Sequence, residues 1–240
     1  MEPFEIVELW PRGPVLLAGA DTQKPGTDSV LLAGAAGPGD TIADLGCGAG
    51  VVSLLLAWDR PTSRVTGLEL SEAACQLASR AVELNGLSDR VSIRRADLRD
   101  LTTLPRAGSF DCAVSNPPYF AQGSGKAAKG SRPMQRSEET CRIDQVCRAA
   151  AHLVRWGGTF TVVYRPERLV DLLTALRQTA LEPKYLQLVR HRPQSPANLV
   201  LVQARRGGKP GLTIQELTLY DTQGRESADY RRLYHKEGQA

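Results

Sequence analysis

Two short stretches hold residues able to do chemistry. The first is "DLGCGAG", residues 44–50. Gly46, Gly48 and Gly50 permit a tight turn and let backbone N–H groups approach a bound molecule with no side chain in between. Their spacing is G-x-G-x-G, not the G-x-G-x-x-G of dinucleotide folds. Asp44 precedes the turn and suits a cationic amine. Glu69 follows about twenty residues later, where a carboxylate can accept two hydrogen bonds from a ribose diol. Asp97 is a third acid, placed beside where an adenine ring would lie. Pyrophosphate would be repelled by Asp44, so a nucleoside carrying an amine fits better. Taken singly, the glycines read as a turn and the acids as helix caps. Their combination favours a binding site.

The second stretch is "AVSNPPYFAQGS", residues 113–124. Proline donates nothing to a strand ladder and restricts the residue before it, so Pro117 and Pro118 must end the apolar run at Asp111–Ser115. The run stops on an asparagine amide, a rigidly directed Pro117 carbonyl and the flat ring of Tyr119. A packed turn would also account for these residues.

Elements that position such groups alternate along the chain. Short apolar runs at 41–48, 64–70, 91–97 and 109–119 read as strands ending at the residues named above. Between them, 49–58 and the Ser71-capped segment ending at Asn85-Gly86 read as helices. Downstream, 138–154 and 168–180 read as helices, and Gly157-Gly158 separates the first from the strand "TFTVVYR". "YLQLVRH" and "NLVLVQARR" read as a closing hairpin joined by "RPQSPA". The pattern predicts an α/β fold: a doubly wound, mostly parallel seven-stranded sheet with an antiparallel C-terminal strand. It divides the chain into a Gly/Pro-punctuated N-terminal extension (1–40), a main domain (41–207) and a C-terminal tail (208–240). No internal repeat is visible.

The 240-residue length suits one large domain, and 42% apolar with 23% charged residues is ordinary for a globular chain with a sizeable core. The net charge of +4 is compatible with nucleic acid without being diagnostic. Five scattered cysteines without C-x-x-C spacing and only three histidines argue against a structural metal or disulfide framework. The acidic start "MEPFEIVELW" lacks a secretory pattern and Val51–Trp58 is too short to span a bilayer, so a cytoplasmic protein is expected.

The glycine loop with Asp44, Glu69 and Asp97 resembles the class I S-adenosylmethionine-dependent methyltransferases. That resemblance implies Asp44, Gly46 and Gly48 around the methionine half of the donor, Glu69 on the ribose and Asp97 near the adenine amine. N-P-P-Y at this place resembles the amino-methyltransferases that act on adenine in nucleic acid, guanine in RNA or glutamine in protein. In that setting Asn116 and Pro117 would accept hydrogen bonds from the target amine, and Tyr119 would stack on a flipped-out base. The glutamine enzymes of release factors carry a sizeable helical domain before the glycine loop, whereas only about forty Gly/Pro-rich residues precede it here. "KPGTDSVLLAG", "SNPPYF", "QRSEE", "YRPERL" and "NLVLVQARRGGKPGL" together resemble the bacterial enzymes that methylate the 6-amino group of the adenine just 3′ of the anticodon in a valine tRNA. The likeness covers nearly the whole chain. It implies S-adenosylmethionine as cofactor, tRNA as partner, and Thr27 and Asp28 near the donor's methionine end. Thr27 also reads as a helix N-cap with Asp28 favourable at the positive end of the dipole, and both can hold. Guanine or glutamine methylation, and a binding protein without turnover, remain alternatives.

Charge adds modest support. Residues 183–215 contain no carboxylate but hold Lys184, Arg190, Arg192, Arg205, Arg206 and Lys209, and 121–137 adds Lys126, Lys129, Arg132 and Arg136. Cations beside a catalytic face would neutralise phosphates, although a solvated surface would look the same. Arg165 either touches a substrate phosphate or belongs to a helix start where Glu167 pairs with Arg168; the second is favoured. Cys47 reads as a small filler of space.

Overall fold

The computed structural model describes residues 4–18, 26–117 and 141–236. An antiparallel ribbon of β1 (Glu5–Glu8) and β2 (Val15–Ala18) comes first, followed by α1 (Thr27–Ala35). The alternation then runs β3 (Thr41–Leu45), α2 (Val51–Asp59), β4 (Arg64–Glu69), α3 (Glu72–Leu84), β5 (Val91–Arg95) and β6 (Phe110–Ser115). It continues through α4 (Ile143–Leu153), β7 (Val154–Tyr164), α5 (Leu169–Gln178), β8 (Leu181–Arg190), β9 (Ala197–Arg206), β10 (Thr213–Thr218) and α6 (Ala228–Leu233).

The main sheet has the order β10-β8-β9-β7-β6-β3-β4-β5. Every neighbouring pair is parallel except those made by β9, which runs against β7 and β8. Seven strands and one antiparallel member match the sequence expectation. The eighth, β10, does not: the segment after Gly207 re-enters the sheet beside β8. Its residues are mostly exposed, so it carries little of the apolar periodicity that marks a strand. Gly157-Gly158 also depart from expectation, since they lie inside β7. Between the pairs Phe110–Val154 and Cys112–Thr159, β6 advances two residues while β7 advances five, so the glycines form a bulge.

Both faces of the sheet are covered, which explains the nearly continuous apolar strands. Ile42, Val114 and Val163 join α1 and α2 in one core; Ala43, Leu45, Phe160 and Val162 join α4 and α5 in the other. Pro183 lies in β8 without breaking the sheet because β10 begins pairing only at Tyr185. The N-terminal ribbon is tied to α3 by Asn85, whose amide accepts from the Val15 N–H (2.8 Å) and donates to the Val15 and Ala81 carbonyls (2.7 Å each).

Asn85→Ala removes the side-chain partner of the Val15 N–H and carbonyl, while the Ala81 carbonyl keeps its bond from the backbone N–H of residue 85 (3.1 Å); the loss is expected to cost about 1–3 kcal/mol. Urea unfolding would measure the loss, and hydrogen exchange should rise first at Val15–Ala18.

Candidate functional site

The chain passes outward from β3 to β4 and β5, then returns to place β6 on the other side of β3. In open α/β sheets this switch of direction opens a crevice at the carboxyl ends of the strands. The β3–β6 register pairs Leu45 with Ser115, so Gly46 and Asn116 are the first residues past the sheet on its two sides. The Ser115 hydroxyl donates to the Leu45 carbonyl (2.8 Å) and locks that register.

The glycine loop is held from below. The N–H groups of Gly46 and Cys47 both donate to the Leu68 carbonyl, at 2.8 and 3.1 Å. Gly46 and Gly48 have φ of 71° and 54°, and among the described residues a Cβ at either would meet no atom within 4 Å. The described residues therefore leave space in front of both glycines. Glu69 braces the loop: its carboxylate accepts from the Gly48 N–H (2.9 Å) and the Ser71 N–H (2.9 Å). Each oxygen keeps a lone pair for another donor.

Asp44 is 1% exposed. Ser53, on α2, donates to it at 2.7 Å. Burial pushes its carboxyl up to about 7, against the opposing pull of the Ser53 hydrogen bonds. Asp97 lies just past β5, joined to the Glu69 strand end through the Ala96 N–H and the Glu69 carbonyl (2.9 Å). Arg99 clamps it, with Nε at 2.9 and 3.0 Å from the two carboxylate oxygens, and holds it below the usual carboxylate range. Cys47 is buried and its thiol is pushed up by burial, in keeping with a space-filling role.

Just past β6 stands Asn116, whose Nδ2 donates across a long 3.4 Å contact to the Ser29 hydroxyl on α1. Pro117 follows it and is buried; Tyr119 and the basic residues of 121–137 lie outside the described residues. Gly26, not Thr27, is the N-cap of α1. Thr27 is the first helical residue, and its hydroxyl takes a hydrogen bond from the Tyr234 hydroxyl (3.2 Å). Asp28 stands in the first turn.

The fold thus brings Asp44, Gly46, Gly48, Glu69 and Asn116 to one rim, with α1 beside Asn116 and Asp97 at the neighbouring strand end. Ser29, Ser53 and Gly67 escaped sequence reasoning. The serines carry no pattern of their own. Gly67 did carry a signal, a glycine inside a strand: a Cβ there would sit 2.8 Å from Cys47 Sγ and 3.1 Å from Ser53 Oγ. Two charge expectations change. Arg168 pairs with Asp171, not Glu167, while Arg165 donates to the Asn198 carbonyl (3.1 Å). The cations of 183–215 do not gather at this rim. Arg190 ends β8 on the site side and pairs with Glu216 (2.8 Å), whereas Lys184, Arg205, Arg206 and Lys209 sit at the opposite end of the sheet. Among the described residues no group of three or more His, Cys, Asp or Glu side chains is placed to hold a metal, and no helix is long and apolar enough to cross a membrane.

Ser53→Ala removes a bond that favours the Asp44 carboxylate, so that carboxyl is expected to titrate higher still, as read by carbon NMR. The unfolded chain releases this proton near 3.8 and the folded chain near 7, so stability declines as pH rises from about 4 to about 7 and levels off above. In the variant the decline extends to higher pH.

The chain is similar to known proteins over most of its length. The methyltransferase small domain model matches residues 25–179. The tRNA1(Val) (adenine(37)-N6)-methyltransferase of Porphyromonas gingivalis is 32% identical over 75% of this chain and 73% of its own. The enzyme of the same name from Yersinia pestis strain Pestoides F is 31% identical over 88% of this chain and 85% of its own. A solved structure of a predicted O-methyltransferase from Agrobacterium tumefaciens shares the fold at a TM-score of 0.73 and 24% identity, covering 87% of this chain and 96% of that one. TYW2 from P. horikoshii, solved with MeSAdo, does so at a TM-score of 0.60 and 14% identity, covering 87% and 73%. This match over most of the chain places the protein in the methyltransferase small domain family.

Proposed function

We propose that the protein transfers a methyl group from S-adenosylmethionine to the 6-amino group of an adenine in tRNA, the adenine at position 37 as in its named relatives. The observation that supports this reading is the β3–β6 register, which brings Asn116 and Gly46 out of the sheet at neighbouring strand ends. A cytoplasmic setting follows from a tRNA substrate.

The residues present fit the donor. Gly46 and Gly48 leave open space for its methionine part, with Thr27 and Asp28 of α1 toward the same end. Asp44 offers a carboxylate for the ammonium group, the free lone pairs of Glu69 suit the ribose diol, and Asp97 faces the adenine end once it shares its carboxylate with Arg99. When bound, the sulfonium supplies an electrophilic methyl carbon. The chain's own task is to present the nucleophile. The lone pair of an adenine amine is delocalised into its ring. Asn116 Oδ1 and the Pro117 carbonyl accept the two N–H groups and hold the nitrogen in line with that carbon. The amine nitrogen would accept the methyl that the donor supplies, the donor would leave as the neutral thioether, and the surplus proton would pass to solvent. No general base is needed before transfer. Tyr119 supplies the stacking surface for the base.

Asn116→Ala is expected to lower kcat by about 10²–10³-fold on a valine tRNA transcript. Mass spectrometry of digested tRNA, from the purified reaction and from cells with and without the protein, would read N6-methyladenosine directly. An unchanged rate in the variant removes the amine clamp. Donor affinity carries a second test. An ammonium group beside Asp44 favours the carboxylate, so binding should tighten between pH 6 and about 7.5 as that group ionises, with proton release detected by calorimetry. Asp44→Asn should abolish this dependence.

A further inference from the structure

The far end of the sheet carries an exposed aromatic ring among several cations. The bulge in β7 turns out Trp156, which is 69% exposed. The ring is not loose. Gly207, at φ +66°, lets the backbone lie against the indole, and a Cβ there would run into it. The Arg206 guanidinium sits 5.9 Å from the ring centroid. Beside the ring is an open cavity of about 380 Å³ lined by Trp156, Lys184, Arg205, Gly207 and Lys209.

The cations here are aimed but not neutralised. Lys184 Nζ donates to the Lys209 carbonyl (3.0 Å), Arg205 Nε to the Gly157 carbonyl (3.0 Å) and Arg206 to the Val154 carbonyl. Carbonyls orient these groups without cancelling their charge, and among the described residues none of the four forms an ion pair. The nearby carboxylates are already committed: Glu182 to Arg177 (3.2 Å), and Asp111 to Arg155 (2.7 Å). A fixed, exposed indole amid four unneutralised cations combines a stacking platform with phosphate neutralisation, the two elements of single-strand and loop recognition. Trp156 lies about 20 Å down β7 from Tyr164 at the site rim, so one occupant touching both places must be long.

We propose that this surface docks a part of the tRNA remote from the methylated base, with an unpaired base stacked on Trp156 and phosphates on Lys184, Arg205 and Lys209. The proposal rests on the tRNA reading above. Its test uses the full chain, a valine tRNA transcript and S-adenosylmethionine. Lys209→Glu and Trp156→Ala are expected to raise the KM for tRNA about tenfold each, while kcat at saturating tRNA and donor affinity stay at wild-type values. Trp156→Phe should retain most of the affinity, since it keeps a stacking face. The salt dependence of binding should flatten in Lys209→Glu by more than one charge contact, because a repulsive charge replaces the attractive one. Wild-type tRNA affinity in both variants overturns the surface and leaves the catalytic reading standing. A loss of kcat or donor affinity equal to the loss in tRNA affinity also overturns it, since the residues then act through the fold. A wild-type protein that binds donor but no tRNA overturns the surface together with the substrate assignment.

Discussion

The pairing of Leu45 with Ser115 is the contact on which the site depends. Parallel strands tolerate no slip of one residue, because a slip would exchange the side chains of the two faces. Here both faces are buried, with Ile42 and Ala43, or Val162 and Val163, committed to opposite cores. The register is therefore over-determined by packing, and the Ser115 hydroxyl adds a hydrogen bond at the last rung. Gly46 and Asn116 emerge side by side as a consequence. Neither residue contributes much to its own placement.

The loop above that rung is rigid for electrostatic as much as steric reasons. Glu69 bridges from β4 to Gly48, and the Leu68 carbonyl takes two N–H groups from the turn. Asp44, by contrast, is held in an unfavourable state. Burial raises its proton affinity to the edge of neutrality, and Ser53 supplies only part of the compensation. A buried carboxylate is stabilised in its charged form when a cation comes beside it.

The C-terminal residues contribute to both ends of the molecule. β10 adds an edge strand to β8, and α6 lays Tyr230 and Tyr234 (ring centroids 4.5 Å apart) near α1, from which Tyr234 reaches Thr27. Lys236 stands over both tyrosine rings and pairs with Glu226. The start of the helix flanking the site is thus tied to the end of the described chain, although the two segments are 207 residues apart.

What the sequence determined by itself is local. Strand-helix alternation, the Ser71 cap, the glycine turn and the stop at Asn116-Pro117 are dictated by side-chain period and backbone restriction over a few residues, and they appear where expected. The position of the acids at strand ends was legible for the same reason. What tertiary structure decided is every relation that depends on which strand lies beside which. The switch of order between β3 and β6 makes neighbours of residues 46 and 116. The antiparallel course of β9 sends Arg205 and Arg206 away from the site, even though their charges follow closely on Arg190 and Arg192 in the chain. A run of cations in sequence has no direction until the strands carrying it are laid down, because a strand reversed in the sheet delivers its ends to opposite poles.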